Sequence, residues 1–156
     1  MQKTVQDIVD EAARLFDLRH HCSEAIVMAT GRYYISPYSE MLTRVSCPFG
    51  GGVGGCRDEI CGLFGGATIV LGAVWGRESY TEDDTWLYEI VCEYRDRFIA
   101  DNGTTVCRPL RDYYAVDGGR CGPLVEYATR ELVQLIERVA DERPEAAARL
   151  ARRATR

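Results

Sequence analysis

Apolar residues recur every three or four positions along most of the chain, and this spacing predicts a series of amphipathic helices. The clearest stripe follows the N-cap candidate Thr4 and consists of Val5, Ile8, Val9, Ala12, Leu15 and Phe16. Comparable signals predict further helices over residues 23–33, 39–45, 81–102 and 109–114, and a long one opening at Gly122-Pro123. No segment alternates apolar and polar residues over enough positions to predict a β-strand. We therefore expect an all-α, single-domain bundle of about five to six helices.

The most apolar segment, residues 60–75, carries no charge and predicts a central helix rich in small residues. We place its start at Asp58 and Glu59, which suit the positive end of a helix, and its end near Arg77. Small residues lie close to one face at Gly62, Gly66, Ala73 and Gly76. A neighbouring backbone can approach such a face closely, and a homodimer through it is one expectation. The uncharged run is too short to cross a bilayer of about 30 Å, so we expect no membrane partner.

Composition and charge narrow the class of protein further. A chain of 156 residues with 46% hydrophobic and 28% charged residues is typical of one globular domain. The net charge of −5 argues against a nucleic-acid partner, since phosphate contacts need clustered Lys and Arg. A signal peptide needs an uninterrupted apolar region near the N-terminus, and acidic residues interrupt the apolar stripe there. We therefore expect a cytoplasmic protein. We expect the domain over residues 1–142 and an arginine-rich tail over residues 143–156.

Seven cysteines indicate metal or redox chemistry, because an odd number cannot all pair and a reducing compartment disfavours disulfides. None stands in a C-x-x-C pair. Three of them, Cys22, Cys61 and Cys121, fall at predicted helix starts, where the helix dipole is expected to lower the pKa of a thiol. Arg57 and Arg108 could stabilise thiolates further. Of the others, Cys92 is expected to be inert, and Cys47 and Cys56 flank a glycine-rich loop.

The glycine-rich loop suggests a backbone cradle around a thiol site. With no side chain, glycine lets backbone N–H groups approach sulfur closely. The candidate cofactor-binding glycines are Gly50, Gly51, Gly52, Gly54 and Gly62. The spacing Gly50-x-Gly52-x-x-Gly55 formally spells a dinucleotide fingerprint, yet no strand precedes it, so no nucleotide is expected.

From Phe16 to Leu132 the chain resembles the redox-active proteins named for the pattern C_GCAxxG_C_C. Residues 22–26, Cys-Ser-Glu-Ala-Ile, resemble the early cysteine segment of that family, and residues 49–54 its glycine-rich turn. Residues 61–66 resemble its Cys-Gly-Ala-x-x-Gly motif, with Leu63 in place of Ala, and Cys107 and Cys121 supply the late pair. His20 and His21 stand where the family commonly has Gly and Asn, which leaves open a histidine ligand or proton carrier.

The resemblance implies redox chemistry at four cysteines. The family is also similar to the iron-sulfur portion of split-Soret cytochromes. This implies an iron-sulfur cluster or metal held by Cys22, Cys61, Cys107 and Cys121, with electron transfer to an unidentified redox partner protein. No haem is expected, because the chain has no C-x-x-C-H.

Two alternatives to a cluster stay open. The first is a metal-free thiol/disulfide relay with Cys61 and Cys107 as catalytic thiols and Cys56 as the resolving thiol. The second is a non-catalytic ligand-binding or assembly module in which the cysteines only pack. Replacing Cys61 and Cys107 in such a module is expected to cost only stability.

Overall fold

The computed structural model describes residues 3–154, apart from the side chains of residues 116 and 152–154. Within that range the chain folds into one helical bundle, and the bridge between Ile60 and Val106 is its only β pairing. The predicted bundle is confirmed, but the count of five to six is wrong, because the chain forms eight α-helices there. They are α1 (Val5–Asp17), α2 (Cys22–Tyr34), α3 (Glu40–Ser46), α4 (Gly62–Trp75), α5 (Thr85–Asn102), α6 (Cys107–Tyr114), α7 (Gly122–Glu142) and α8 (Pro144–Ala154). Single 3-10 turns lie at Cys47–Phe49 and Val116–Gly118.

The central helix α4 packs against α2, α5, α7 and α8 and is buried over most of its length. A Cβ added to Gly66 would lie 2.5 Å from Cγ2 of Ile26 and 2.9 Å from the carbonyl oxygen of Ser23, both in α2. The close approach expected at the small-residue face is therefore made by α2 of the same chain, and a homodimer stays a prediction. No helix among residues 3–154 is both long enough and apolar enough to cross a membrane.

The predicted start of the central helix is wrong. The helix begins at Gly62, with Cys61 as its N-cap, and the preceding residues pair with the segment that enters α6. The backbone N–H of Cys61 donates to Thr105 (2.7 Å), and that of Cys107 donates to Glu59 (2.9 Å). Asp58 accepts from Nε of Arg108 at 2.6 Å instead of entering the first helical turn. The local charge signal could not reveal a pairing partner almost fifty residues away.

The C-terminal segment contributes α8, which covers the end of α4. Ala146 is fully buried, and its carbonyl accepts from Nε1 of Trp75 at 3.1 Å. Arg149 donates to the carbonyl of Trp75 at 2.8 Å and to the carboxylate of Glu82 at 3.0 Å. These bonds satisfy polar groups at the end of an apolar helix. The first two residues of segment 1–142 and the last two of segment 143–156 lie outside the described residues.

Candidate functional site

Four cysteines from distant parts of the chain line one cavity, and each stands where a different helix begins. Cys22 and Cys107 are the first residues of α2 and α6, whereas Cys61 and Cys121 are the N-caps of α4 and α7. The cavity measures about 140 Å³, whereas one water needs only about 10–15 Å³ by a comparable measure. The sequence placed Cys22, Cys61 and Cys121 at or near a helix start, although it began α4 at Asp58 instead of Gly62. It missed the one at Cys107, because Pro109 marks a first turn without showing which residue opens it.

Contacts between loops hold the cysteines together in pairs. The bridge between Ile60 and Val106 places Cys61 beside Cys107. Gly62 follows Cys61 directly, and a Cβ on it would lie 2.6 Å from Sγ of Cys22. The thiol of Cys22 therefore occupies space that any other residue at position 62 would need.

Arg120 fixes the remaining cysteine, Cys121, near the start of α2. Its guanidinium donates to the carbonyl of Phe16 and, at 2.9 Å, to that of His20, and it lies 3.7 Å from the centre of the Phe16 ring. One side chain thus joins the loop before α7 to the last turn of α1 and to the loop that follows it. Adjacency to Cys121 is the only sequence signal for this role.

The glycine-rich loop forms part of the cavity wall. Gly51 lines the cavity directly. Gly52 has φ of +71°, and a Cβ on it would lie 2.5 Å from Cβ of Cys107. A Cβ on Gly50 would lie 2.7 Å from Cγ of His21, whereas Gly54 has no neighbour within 4 Å of its Cβ position. The loop therefore makes room for Cys107 and His21 at Gly52 and Gly50.

The backbone cradle is smaller than the sequence suggested. The N–H groups of Gly50, Gly54 and Gly55 bond to carbonyls of their own loop, at Cys47 (3.1 Å), Pro48 (2.7 Å) and Gly50 (3.1 Å). Only Gly51 and Gly52, of the candidate loop glycines, have N–H groups without a hydrogen bond among residues 3–154. These two are the loop donors left for a bound group, and cofactor binding by the glycines stays a prediction.

Burial dominates the electrostatics of the thiols. It raises the pKa of Cys61 to about 12, although the N–H groups of Leu63 and Phe64 at the start of α4 lower it. Burial likewise raises the pKa of Cys107 and Cys121. The expectation that helix starts lower the thiol pKa is therefore wrong for Cys61 and Cys121, because the loss of hydration of the thiolate outweighs the helix dipole.

Positive side chains surround the cavity. Arg111 and Arg120 line it. Arg57 and Arg111 each lower the pKa of Cys107 and of Cys121, against the larger effect of burial. Arg108 is held by Asp58 and by the carbonyl of Cys56, and its charge acts on the thiol of Cys56 outside the cavity, not on the four cavity cysteines. The cavity is thus suited to a group of negative charge.

The other three cysteines are exposed and lie outside the cavity wall. The thiol of Cys56 donates to the carbonyl of Gly52 at 2.9 Å, and its role as a resolving thiol stays a prediction. Cys92 lies on the outer side of α5. Cys47 follows α3 and lies near Glu24, and the partial loss of hydration of its thiol, together with that carboxylate, raises its pKa.

Residues 20–135 match the family described as "Putative redox-active protein (C_GCAxxG_C_C)". The match includes all four cysteines of the cavity and the glycine-rich loop between them. No curated protein and no solved structure shows significant similarity to the chain.

Proposed function

Because the chain belongs to the C_GCAxxG_C_C family of redox-active proteins, we propose that it is an electron-transfer protein holding an iron-sulfur cluster on Cys22, Cys61, Cys107 and Cys121. The observation that carries the proposal is the arrival of four thiols at one cavity from four helix starts. Four thiolates are the usual ligand set of [2Fe-2S] and [4Fe-4S] clusters. When bound, such a cluster supplies a centre that accepts and returns one electron.

The cavity fits a group larger than a single ion. Its wall combines the four cysteines with Gly51, and the apolar side chains of Leu110 and Leu124 line it as well. Any side chain at position 52 or 62 would displace Cys107 or Cys22. The two glycines therefore favour a fixed arrangement of sulfurs around an occupant of defined size.

The charge around the cavity suits an anionic occupant. The positive ends of α2, α4, α6 and α7 point toward the four cysteines, and each end carries about half a positive charge. Arg111 and Arg120 add full charges to the wall. Together they stabilise four thiolates and the net negative charge of a cluster bound to them.

The raised thiol pKa values favour a metal centre over a thiol relay. A relay needs an attacking thiolate near neutral pH, and burial keeps Cys61 and Cys107 protonated there. A metal displaces the thiol proton on coordination, and its positive charge offsets the cost of a thiolate in a buried position. Burial thus weighs against the first alternative and is compatible with a cluster.

The exposure of the four cysteines indicates where electrons would enter and leave. Cys61 and Cys107 are only 4% and 8% exposed, whereas Cys22 and Cys121 are half-buried. The partner protein, whose identity is unknown, would therefore approach the side formed by the starts of α2 and α7. Arg120 lies on this side as well and would meet an acidic partner surface.

The test is anaerobic reconstitution with iron and sulfide, followed by iron and sulfide analysis and absorption spectroscopy. We expect a coloured protein whose iron is lost in Cys61→Ser and in Cys107→Ser but kept in Cys92→Ser, an exposed cysteine on α5. Circular dichroism shows whether each variant is folded. A colourless protein in which Cys61 and Cys107 oxidise as a pair would instead support the relay. Folded variants that differ from the native chain in stability alone would support a packing role.

A further inference from the structure

A second group of metal-ligating side chains lies between the start of α2 and the 3-10 turn that leads into the glycine-rich loop. One nitrogen of the His21 imidazole, one carboxylate oxygen of Glu24 and Sγ of Cys47 all lie within 4.8 Å of one another. We propose that these three side chains form an outer metal site for a zinc-like divalent ion, whose ligands include none of the four cavity cysteines. Nothing in this proposal depends on the cluster.

The start of α2 holds two of the three ligands in place. His21 is the N-cap of α2, and Glu24 lies three residues later. One oxygen of Glu24 accepts the backbone N–H of His21 at 2.8 Å. This bond fixes the carboxylate beside the imidazole before any ion arrives, so little side-chain freedom is lost on binding.

Gly50 positions the other side of the group. Its backbone N–H donates to the carbonyl of Cys47 at 3.1 Å. Its Cβ position lies 2.7 Å from Cγ and 2.9 Å from Cβ of His21. The same glycine therefore contacts the histidine and is bonded to the cysteine, and a side chain at position 50 would push the imidazole away.

The donor set is characteristic of zinc. Imidazole nitrogen, carboxylate oxygen and thiolate sulfur are its ordinary protein ligands, at about 2.0–2.3 Å from the ion. Ligand atoms of a tetrahedral ion at those distances lie about 3.3–3.8 Å apart, so the present separations of up to 4.8 Å require shifts of about 1 Å. His21 and Cys47 are exposed, so water can reach the fourth position. Three protein ligands with a water are typical of an open zinc site.

The outer site and the cavity share one residue. His21 lines the cavity, whereas Glu24 and Cys47 do not. A metal on the outer site would fix the imidazole next to Cys22. Loss of the outer metal leaves the four cavity cysteines unchanged, so the two sites can be tested separately.

The first test uses the native full-length chain, freed of metal under reducing conditions. Iodoacetamide labelling is followed by peptide mass spectrometry with and without Zn²⁺. We expect Zn²⁺ to slow the labelling of Cys47 by about tenfold or more, with Cys92, which is also exposed, unaffected. Unchanged labelling of Cys47, or equal slowing at Cys92, would overturn the outer site. Neither result bears on iron binding in the cavity.

The second test uses Co²⁺ as the probe in a Cys61→Ser/Cys107→Ser background, where the cavity lacks two ligands. We expect one equivalent to give a thiolate-to-cobalt absorption band that Cys47→Ser abolishes. Glu24→Gln, which keeps an oxygen for the His21 N–H, should weaken binding by about 10–100-fold. Cys92→Ser is the matched control and should leave the band unchanged. A band that survives Cys47→Ser would contradict the assignment, and the labelling test decides if this background does not fold.

Discussion

Replacing either of two glycines in α4 by alanine should have opposite effects on stability. At Gly62 the new Cβ would lie 2.6 Å from Sγ of Cys22 and 2.8 Å from the carbonyl oxygen of Phe49. At Gly72, also in α4, it would meet nothing within 4 Å. Neither glycine has a positive φ, so alanine fits both backbones and the difference between the variants isolates the overlap.

The magnitude follows from these distances. Non-bonded heavy atoms prefer separations of about 3.5–4.0 Å, so Gly62→Ala requires a movement of about 1 Å. The carbonyl of Phe49 is backbone and cannot swing aside, so the thiol of Cys22 and the loop must both shift. Overpacking of this kind costs about 1–3 kcal/mol. Gly72→Ala should instead gain about 0.5–1 kcal/mol by stiffening the unfolded chain.

Urea unfolding of the metal-free proteins, followed by circular dichroism, measures both changes. We expect Gly62→Ala to unfold at lower urea than the native chain and Gly72→Ala at higher urea, with similar slopes. Anaerobic reconstitution should give less iron per chain for Gly62→Ala, because Cys22 is displaced, and native iron content for Gly72→Ala. A Gly62→Ala protein of native stability and native iron content would refute the packing of Cys22 against position 62.

Three further predictions concern the surroundings of the cavity. The metal-free protein should lose stability as the pH rises from about 9 to about 12, because folded Cys61 keeps its proton while the unfolded thiol loses it. Urea titrations at several pH values should show that the free energy of unfolding falls less steeply over this range in Cys61→Ala. Arg120→Lys should cost nearly as much as Arg120→Ala, about 1.5–3 kcal/mol in urea unfolding, since an ammonium lacks the planar fork that reaches both carbonyls while it lies over the ring of Phe16. A native-like lysine variant would contradict this. A chain ending at Glu142 should lose about 3 kcal/mol or more of its free energy of unfolding, because α8 covers Trp75 and accepts its indole N–H. Equal melting temperatures of the shortened and full chains would show that residues 1–142 suffice for full stability.

The local sequence was enough for most helices. The stripe from Val5 to Phe16 predicted α1 almost residue by residue, and the capping box of Thr4 and Asp7 is present. Asn102-Gly103 marked the end of α5, where Gly103 adopts a φ of +81°. These signals work because periodicity and capping depend on residues within one or two turns of each other.

The site depended more on distant contacts. The cysteines and glycines could be named from the motif, but the two arginines of the cavity wall, Arg111 and Arg120, could not. The direction of the thiol pKa shift was also missed at Cys61. The apolar run of α4 that follows Cys61 is visible in the sequence, whereas the apolar atoms that surround its thiol come also from other helices.

The amino-acid sequence by itself determined the helical class, the apolar central segment and the identity of the four cysteines. Only the tertiary structure decided that these cysteines share one cavity, that α4 begins at Gly62 and that Cys47 lies beside His21 and Glu24. The reason is that helix periodicity is written in neighbouring residues. The meeting of positions 22, 61, 107 and 121 instead depends on how whole helices pack, through contacts such as Ile60 with Val106 that no local pattern contains.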